Sequence, residues 1–462
     1  MNRRQFTLSV LAAHAARGLR AQDLPMVKSR RKPTDEWKEY PTRTLDRVAE
    51  FQPGARTIAL DQYGGRADRK DKATGFFYAK KLGKRWFLID PDGHPYLQAG
   101  VCSLARGSSS VNQAALKERF GTPERWAAET SDLLRENGFT ASGGWSDVDL
   151  LRGAPHPIAY CVMSNFMGDF GRAKSMVHQQ PGHLGYPQDC IPVFHPEFAA
   201  ACDRTARPLA AHKDDPWLFG YFSDNELPAP ADLLDRHLKL DAADPNLAPG
   251  FEAARQWLRE RKGESVEISD ADRAAFRGYV FDRYFATTTT AIRRYDPNHL
   301  CIGSRMHGPF LKSQEIMAAA GRHLDVLSVN VYNYWTPPED LMAMWERESG
   351  KPFLVTEWYV KADDAGYKNT TGAGWIVPTQ KDRAAFYQNF VLALLESRTC
   401  VGWHWFKYMD NDPDDPRTDP SNRDSNKGMV TIRYQPYRDL VAGMKAINRE
   451  IYPLADHFDV RP

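Results

Sequence analysis

Trp217-Leu218-Phe219-Gly220-Tyr221-Phe222-Ser223-Asp224-Asn225-Glu226 is an apolar run that breaks off in polar residues and ends in Asn-Glu. A short continuous apolar run with a polar exit fits a strand buried on both faces. Lys351-Pro352-Phe353-Leu354-Val355-Thr356-Glu357-Trp358 has the same build and ends in Glu357. A carboxylate that ends a buried parallel strand stands at the rim where barrel enzymes keep their working side chains.

Six more apolar runs lie around these two, at Tyr96–Val101, Thr140–Gly143, Ile158–Met163, Leu300–Gly303, Val326–Val331 and Val401–Trp405. Amphipathic segments separate most of them. Ala114–Asn137 carries Leu116, Phe120, Trp126, Leu133 and Leu134, Asp270–Tyr295 carries Phe276, Val280, Phe281, Tyr284 and Ile292, and Lys381–Ser397 carries Phe386, Phe390, Leu392 and Leu395. Eight short strands alternating with helices predict an α/β chain folded as a closed (β/α)₈ TIM barrel. No GxGxxG or GxxxxGK[ST] follows a strand, which argues against a nucleotide-binding open sheet.

The chain has 462 residues, against roughly 250 for a bare barrel, so appendages are expected. Residues 22–75 are polar, charged and punctuated by Pro, and are expected to form an extended arm or linker. Residues 76–455 are expected to form the catalytic barrel, entered through a β-hairpin with a turn at Asp90-Pro91-Asp92-Gly93. Residues 228–269 form a long insertion after the fourth strand, expected to hold one or two short helices at the cleft or on the surface.

Lys and Arg number 61 against 59 Asp and Glu, a net charge of +2, which gives no electrostatic case for nucleic acid or an anionic membrane. No run of 18 or more apolar residues exists, so no membrane span is predicted. Aromatics make up 12% of the chain, which is compatible with a carbohydrate cleft because flat rings stack on the C–H faces of sugars. Of the cysteines Cys102, Cys161, Cys190, Cys202, Cys301 and Cys400, only Cys190 and Cys202 are close in sequence, and a disulfide there stays open. Asn2-Arg3-Arg4-Gln5-Phe6 resembles a twin-arginine export signal over residues 1–21. It predicts a periplasmic or extracellular protein, or a cytoplasmic one if the signal is not used. Nothing in the sequence speaks to oligomeric state.

Hydrolysis of a glycosidic bond needs two carboxyl groups, one to protonate the leaving oxygen and one to attack or to activate water. Asn225-Glu226 after the fourth strand and Glu357 after the seventh supply such a pair. The chain resembles clan A retaining glycoside hydrolases, and within them most closely the β-agarase family (glycoside hydrolase family fifty). The resemblance rests on Trp86–Pro95 before the first strand, Gly220–Leu227 at the fourth, Asp296–Leu300 into Gly303-Ser304-Arg305 at the fifth, and Gly402–Asp410 at the eighth followed by Asn426-Lys427-Gly428. It spans roughly residues 76–453. Two segments depart from the family, Trp358–Gly366 after the nucleophile position and Asp410–Asn426 after strand eight, and they put agarose itself in doubt.

The resemblance implies Glu226 as general acid/base, Glu357 as nucleophile and a carbohydrate as substrate. It further implies Asn225 as a hydrogen-bond partner of the sugar hydroxyl beside the reacting carbon, Tyr332 as a donor to the nucleophile and Arg305 as a group that orients a carboxylate. Trp403 or Trp405, with Trp405 favoured, is expected as a sugar platform. His307 and His404 are expected as substrate contacts or structural residues. No three-ligand metal spacing appears, so no cofactor or metal is predicted. The alternatives are hydrolysis of another β-glycan (a β-galactoside, mannan or glucan) and a non-catalytic carbohydrate-binding barrel.

Overall fold

The computed structural model describes residues 24–263 and 267–461, so the twin-arginine-like stretch lies outside the described residues. Eight parallel strands form one sheet: β1 Gln98–Val101, β2 Ala141–Ser142, β3 Ala159–Met163, β4 Leu218–Phe222, β5 Leu300–Gly303, β6 Leu327–Asn330, β7 Phe353–Glu357 and β8 Cys400–Trp405. Their order is β5-β4-β3-β2-β1-β8-β7-β6. Met306 closes the ring, because it pairs with Val329 and exchanges backbone hydrogen bonds with Ser328 and Asn330. The fold is the expected (β/α)₈ barrel, and all eight expected strands are present.

Alternation along the strands, shifted by one residue at the irregularities between Leu218 and Gly220 in β4 and between Cys400 and Gly402 in β8, builds two cores. Phe219, Phe222, Ala141, Cys161, Ile302, Leu354 and Val401 face the barrel interior, whereas Leu218, Tyr221, Trp403 and Trp405 pack outward under the helices. The helices begin where the sequence supplies caps. Ser269 and Thr379 each close a capping box, with Asp272 and Asp382, at the starts of Asp270–Tyr295 and Gln380–Glu396.

The floor of the barrel is a three-stranded antiparallel sheet, Tyr78–Leu82, Arg85–Ile89 and Pro95–Tyr96. The turn at Asp90–Gly93 joins its second and third strands. Phe77, Leu88 and Tyr96 fill the interior from below. The stretch expected as an arm carries an antiparallel hairpin of its own, Met26–Ser29 with Lys38–Pro41. Arg30 exchanges backbone hydrogen bonds with Ile376, and Tyr40 stacks on Trp335 at 5.1 Å, which fastens the hairpin over the loops that follow β6 and β7.

Within the insertion the helices Leu233–His237 and Ala248–Lys262 pack on the long helix Asp270–Tyr295, through Trp257 on Phe276 at 5.2 Å and the Arg273–Asp235 ion pair. Among the described residues of the insertion none lines the cleft at the C-terminal end of the barrel. The insertion thus buttresses a helix. All six cysteines are buried free thiols, including Cys190 and Cys202.

Candidate active site

A cleft of about 610 Å³ opens where the C-terminal ends of the strands converge. Glu226, Glu357, Asn225, Tyr332 and His307 line it, together with Ser103, Trp145, His183, Tyr359, Phe406 and Asp419. Residues 225–226 follow β4, Glu357 ends β7, Tyr332 follows β6 and His307 follows β5. The barrel therefore gathers on one rim groups that are far apart in sequence.

The backbone at this rim is bent in one recurrent way. Ser103, Trp145, Glu226 and Arg305 follow β1, β2, β4 and β5, and all four are left-handed, with φ of 52°, 60°, 50° and 52°. A non-glycine residue held there costs about 1–3 kcal/mol. The surrounding packing sustains that cost and turns each chain sharply, which brings Ser103, Trp145 and Glu226 to the cleft and Arg305 beneath it.

Glu226 and Glu357 sit in opposite environments. Glu226 is 8% exposed, and its Oε1 accepts one hydrogen bond, from Asn330 Nδ2 at 2.8 Å. Thr356 Oγ1 in turn donates to Asn330 Oδ1 at 2.7 Å. Burial, and then the charge of Glu357, push the Glu226 carboxyl up to about 8, while the Asn330 hydrogen bond opposes the shift. Glu226 is therefore protonated at neutral pH. Glu357 instead accepts from Arg305 Nη2 on one oxygen and from the Tyr332 hydroxyl on the other. Both partners stabilise the ionised form. Burial first, and then the Glu357 charge, raise the Tyr332 phenol far above its usual range, so it stays a donor.

Arg305 has zero exposure, and its guanidinium lies 4.2 Å over the Trp145 ring and 4.9 Å over Phe222. Gly144 makes this approach possible, because a Cβ there would lie 2.4 Å from Arg305 Nη1. Asn225 Oδ1 has no protein partner. Asp224 anchors the Asn-Glu turn from behind, accepting from the backbone N–H groups of Met167 and Gly168 at 2.9–3.0 Å and from the Tyr284 hydroxyl at 2.7 Å.

Three expected contacts are corrected. Trp403 and Trp405 are fully buried on the outer face of β8, away from the cleft. Trp403 Nε1 donates to the Tyr387 hydroxyl at 3.0 Å, and Trp405 Nε1 to the Lys427 carbonyl at 3.1 Å. Strand parity sends 403 and 405 toward the helices and 402 and 404 into the barrel, so neither Trp is a sugar platform. His404 is also sealed in the interior, where its Nε2 meets Gln98 Oε1 at 2.7 Å and burial drives its pKa down to about 3. The aromatic walls of the cleft are Trp145, Tyr359 and Phe406. Trp145 was legible as the first large residue after Ser142-Gly143-Gly144, and Phe406 as the residue just beyond β8.

Among the described residues two groups of three ligating side chains come together, Asp61, Asp90 and His94 beneath the barrel and His183, Glu226 and His307 in the cleft. Each combines segments distant in sequence, which is why no ligand spacing announces them. Burial lowers the pKa of His183 and brings that of His307 down to about 4, so both rings are neutral at pH 7.

No family model matches the chain. Beta-agarase B of Vibrio sp. (strain JT0107) is 25% identical over 502 residues, covering 85% of this chain and 50% of that protein. Beta-agarase A of the same strain is 22% identical, covering 85% of this chain and 48% of that protein. The chain thus spans about half the length of the curated relatives it matches. The crystal structure of BpGH50 superposes with a TM-score of 0.82 at 28% identity, over 94% of this chain and 96% of that one. An exo-beta-agarase structure shares the fold with a TM-score of 0.70 at 21% identity, over 87% and 68% of the two chains. The resemblance to β-agarases that the motifs carry is borne out by these comparisons.

Proposed function

We infer that this β-agarase-like chain is a glycoside hydrolase that cleaves β-linked, galactose-containing polysaccharide or oligosaccharide with retention of configuration. The observation that carries the reading is the chemical asymmetry of two carboxyls on one cleft. Glu226 is buried and protonated, and Glu357 accepts from the Arg305 guanidinium on one oxygen and from the Tyr332 hydroxyl on the other.

The chemistry follows from that asymmetry. Glu226 gives its proton to the leaving glycosidic oxygen while Glu357 attacks the anomeric carbon, which forms a covalent glycosyl-enzyme. Glu226, now ionised, takes a proton from water as that water displaces Glu357 from the sugar. Asn225, which lines the cleft beside Glu226, hydrogen-bonds the hydroxyl next to the reacting carbon, an interaction that strengthens as charge develops. Arg305 and Tyr332 fix both oxygens of Glu357 and hold it in line. Trp145, Tyr359 and Phe406 supply the stacking surface. The twin-arginine-like start, residues 1–21, supports export.

Glu357→Gln should lose turnover, and proton NMR of freshly formed product should show the β-anomer first. A fully active Glu357→Gln enzyme, or initial release of the α-anomer, would overturn the reading. A second reading keeps the chemistry and changes the glycan. The segments that depart from the agarases border the cleft through Tyr359 and through Asp419, Ser421 and Asn422. Rates on pure agarose, β-galactan, β-mannan and β-glucan separate the two readings.

A further inference from the structure

The cleft wall beside Glu226 carries two imidazoles that the hydrolytic reaction leaves without a task. His183 comes from the short hairpin His178–Gln180/His183–Gly185 in the β3–β4 connection, and His307 from the end of β5. A nitrogen of each ring and a carboxylate oxygen of Glu226 lie within 4.8 Å of one another. The two rings are 5.6 Å apart between centroids, tilted by 55°. His307 Nδ1 is buried without any hydrogen-bond partner. A buried ring nitrogen without a partner is costly, unless something outside the protein binds it.

We propose that His183, Glu226 and His307 form a binding site for a divalent first-row transition ion of the zinc type, and that the bound ion shuts the hydrolase off. Two imidazoles and one carboxylate are a donor set that zinc takes with a fourth position left open. The cleft provides that open position, since all three residues line it. Ligand atoms around a tetrahedral zinc stand roughly 3.3–3.6 Å apart, as follows from metal–ligand bonds of about 2.0–2.2 Å. The three atoms therefore need only draw together, and His183 sits on a two-stranded hairpin outside the barrel sheet. An ion on Glu226 occupies the oxygen lone pair that must carry the acid's proton. It also stands where the leaving sugar must lie. The inhibitory half of the proposal rests on Glu226 being the acid/base, whereas the binding half does not.

The test uses the full chain, with Zn²⁺ titrated by calorimetry and Co²⁺ by visible absorption. One ion per chain is expected, with Co²⁺ giving the intense d–d bands of a low-coordinate nitrogen–oxygen site. His183→Ala and His307→Ala should each weaken binding by about tenfold or more. Zn²⁺ should inhibit hydrolysis of a β-linked substrate, with full recovery on adding EDTA, and the inhibitory concentration should rise in parallel in both variants. Absence of binding, or an affinity unchanged in His307→Ala, overturns the site. A site lost in both variants on a protein that hydrolyses no glycan upholds the ion site and overturns the hydrolase reading. Tight binding to an active enzyme without inhibition overturns the switch.

Discussion

Glu226 combines a left-handed backbone, near-complete burial and a single hydrogen-bond donor, and each feature has a kinetic consequence. The proposed acid must be protonated for the first step, and the Glu226 carboxyl sits at about 8, so kcat/KM should fall as pH rises through about 8. A pH profile that stays flat to pH 9 would contradict that assignment. The Asn330 hydrogen bond pulls the carboxyl down, so Asn330→Ala should move the alkaline limb to higher pH as well as lower kcat. Glu226→Gln should cost about 10²–10⁴ in rate on a polysaccharide. The loss should be much smaller on an aryl glycoside whose leaving group needs no proton, and equal losses on both substrates would deny Glu226 the acid's role. Two tryptophans give the contrasting case. Trp405→Ala removes a fully buried ring and should destabilise the protein by about 3–5 kcal/mol in denaturant titration, whereas Trp145→Ala, 41% exposed at the cleft, should act mainly on KM.

At the scale of elements, the turn after β4 is held by the helix Phe166–Ala173, whose first N–H groups Asp224 caps. Asp224→Ala strands those donors and leaves the Tyr284 hydroxyl with Ser223 Oγ alone. It should cost about 2–3 kcal/mol of stability and lower kcat, because the turn that aims Glu226 loses its anchor. Equilibrium unfolding together with kcat checks both effects, and an unchanged kcat would show that the turn aims itself. The N-terminal hairpin plays a similar part on the other side. Arg31 donates to the Tyr332 carbonyl at 3.1 Å and to Asn333 Oδ1 at 2.7 Å, which ties the hairpin to the segment that presents Tyr332 to Glu357.

For the molecule as a whole, the barrel is closed by one bridge at Met306 and roofed by loops that the hairpin Met26–Pro41 holds down. A chain shortened past Pro41 loses the Tyr40 ring that covers Trp335 and Trp375, and should show a lower Tm together with a higher KM. A drop in Tm with unchanged kinetics would reduce the hairpin to a structural clasp. The same closure explains why strained residues accumulate at one end. The packed strands fix where each chain leaves the sheet, and the exits at 103, 145, 226 and 305 must then turn inward at a local energetic cost.

Strand periodicity, the eight-fold alternation with helices and the two strand-end glutamates were legible in the amino-acid order, because burial on both faces demands continuous apolar runs and a barrel exposes its strand ends. Parity within a strand was legible, but which parity faces the lumen was not, and so Trp403, Trp405 and His404 were expected at a cleft that none of them reaches. Closure of the ring alone decides which side of β8 is inside. Closure also brings Asn330 to Glu226, and His183 and His307 to the same carboxyl, across sequence separations that no spacing rule spans. Short-range pattern wrote the strands and the two strand-end glutamates, and the geometry of a closed sheet chose the neighbours of both carboxyls.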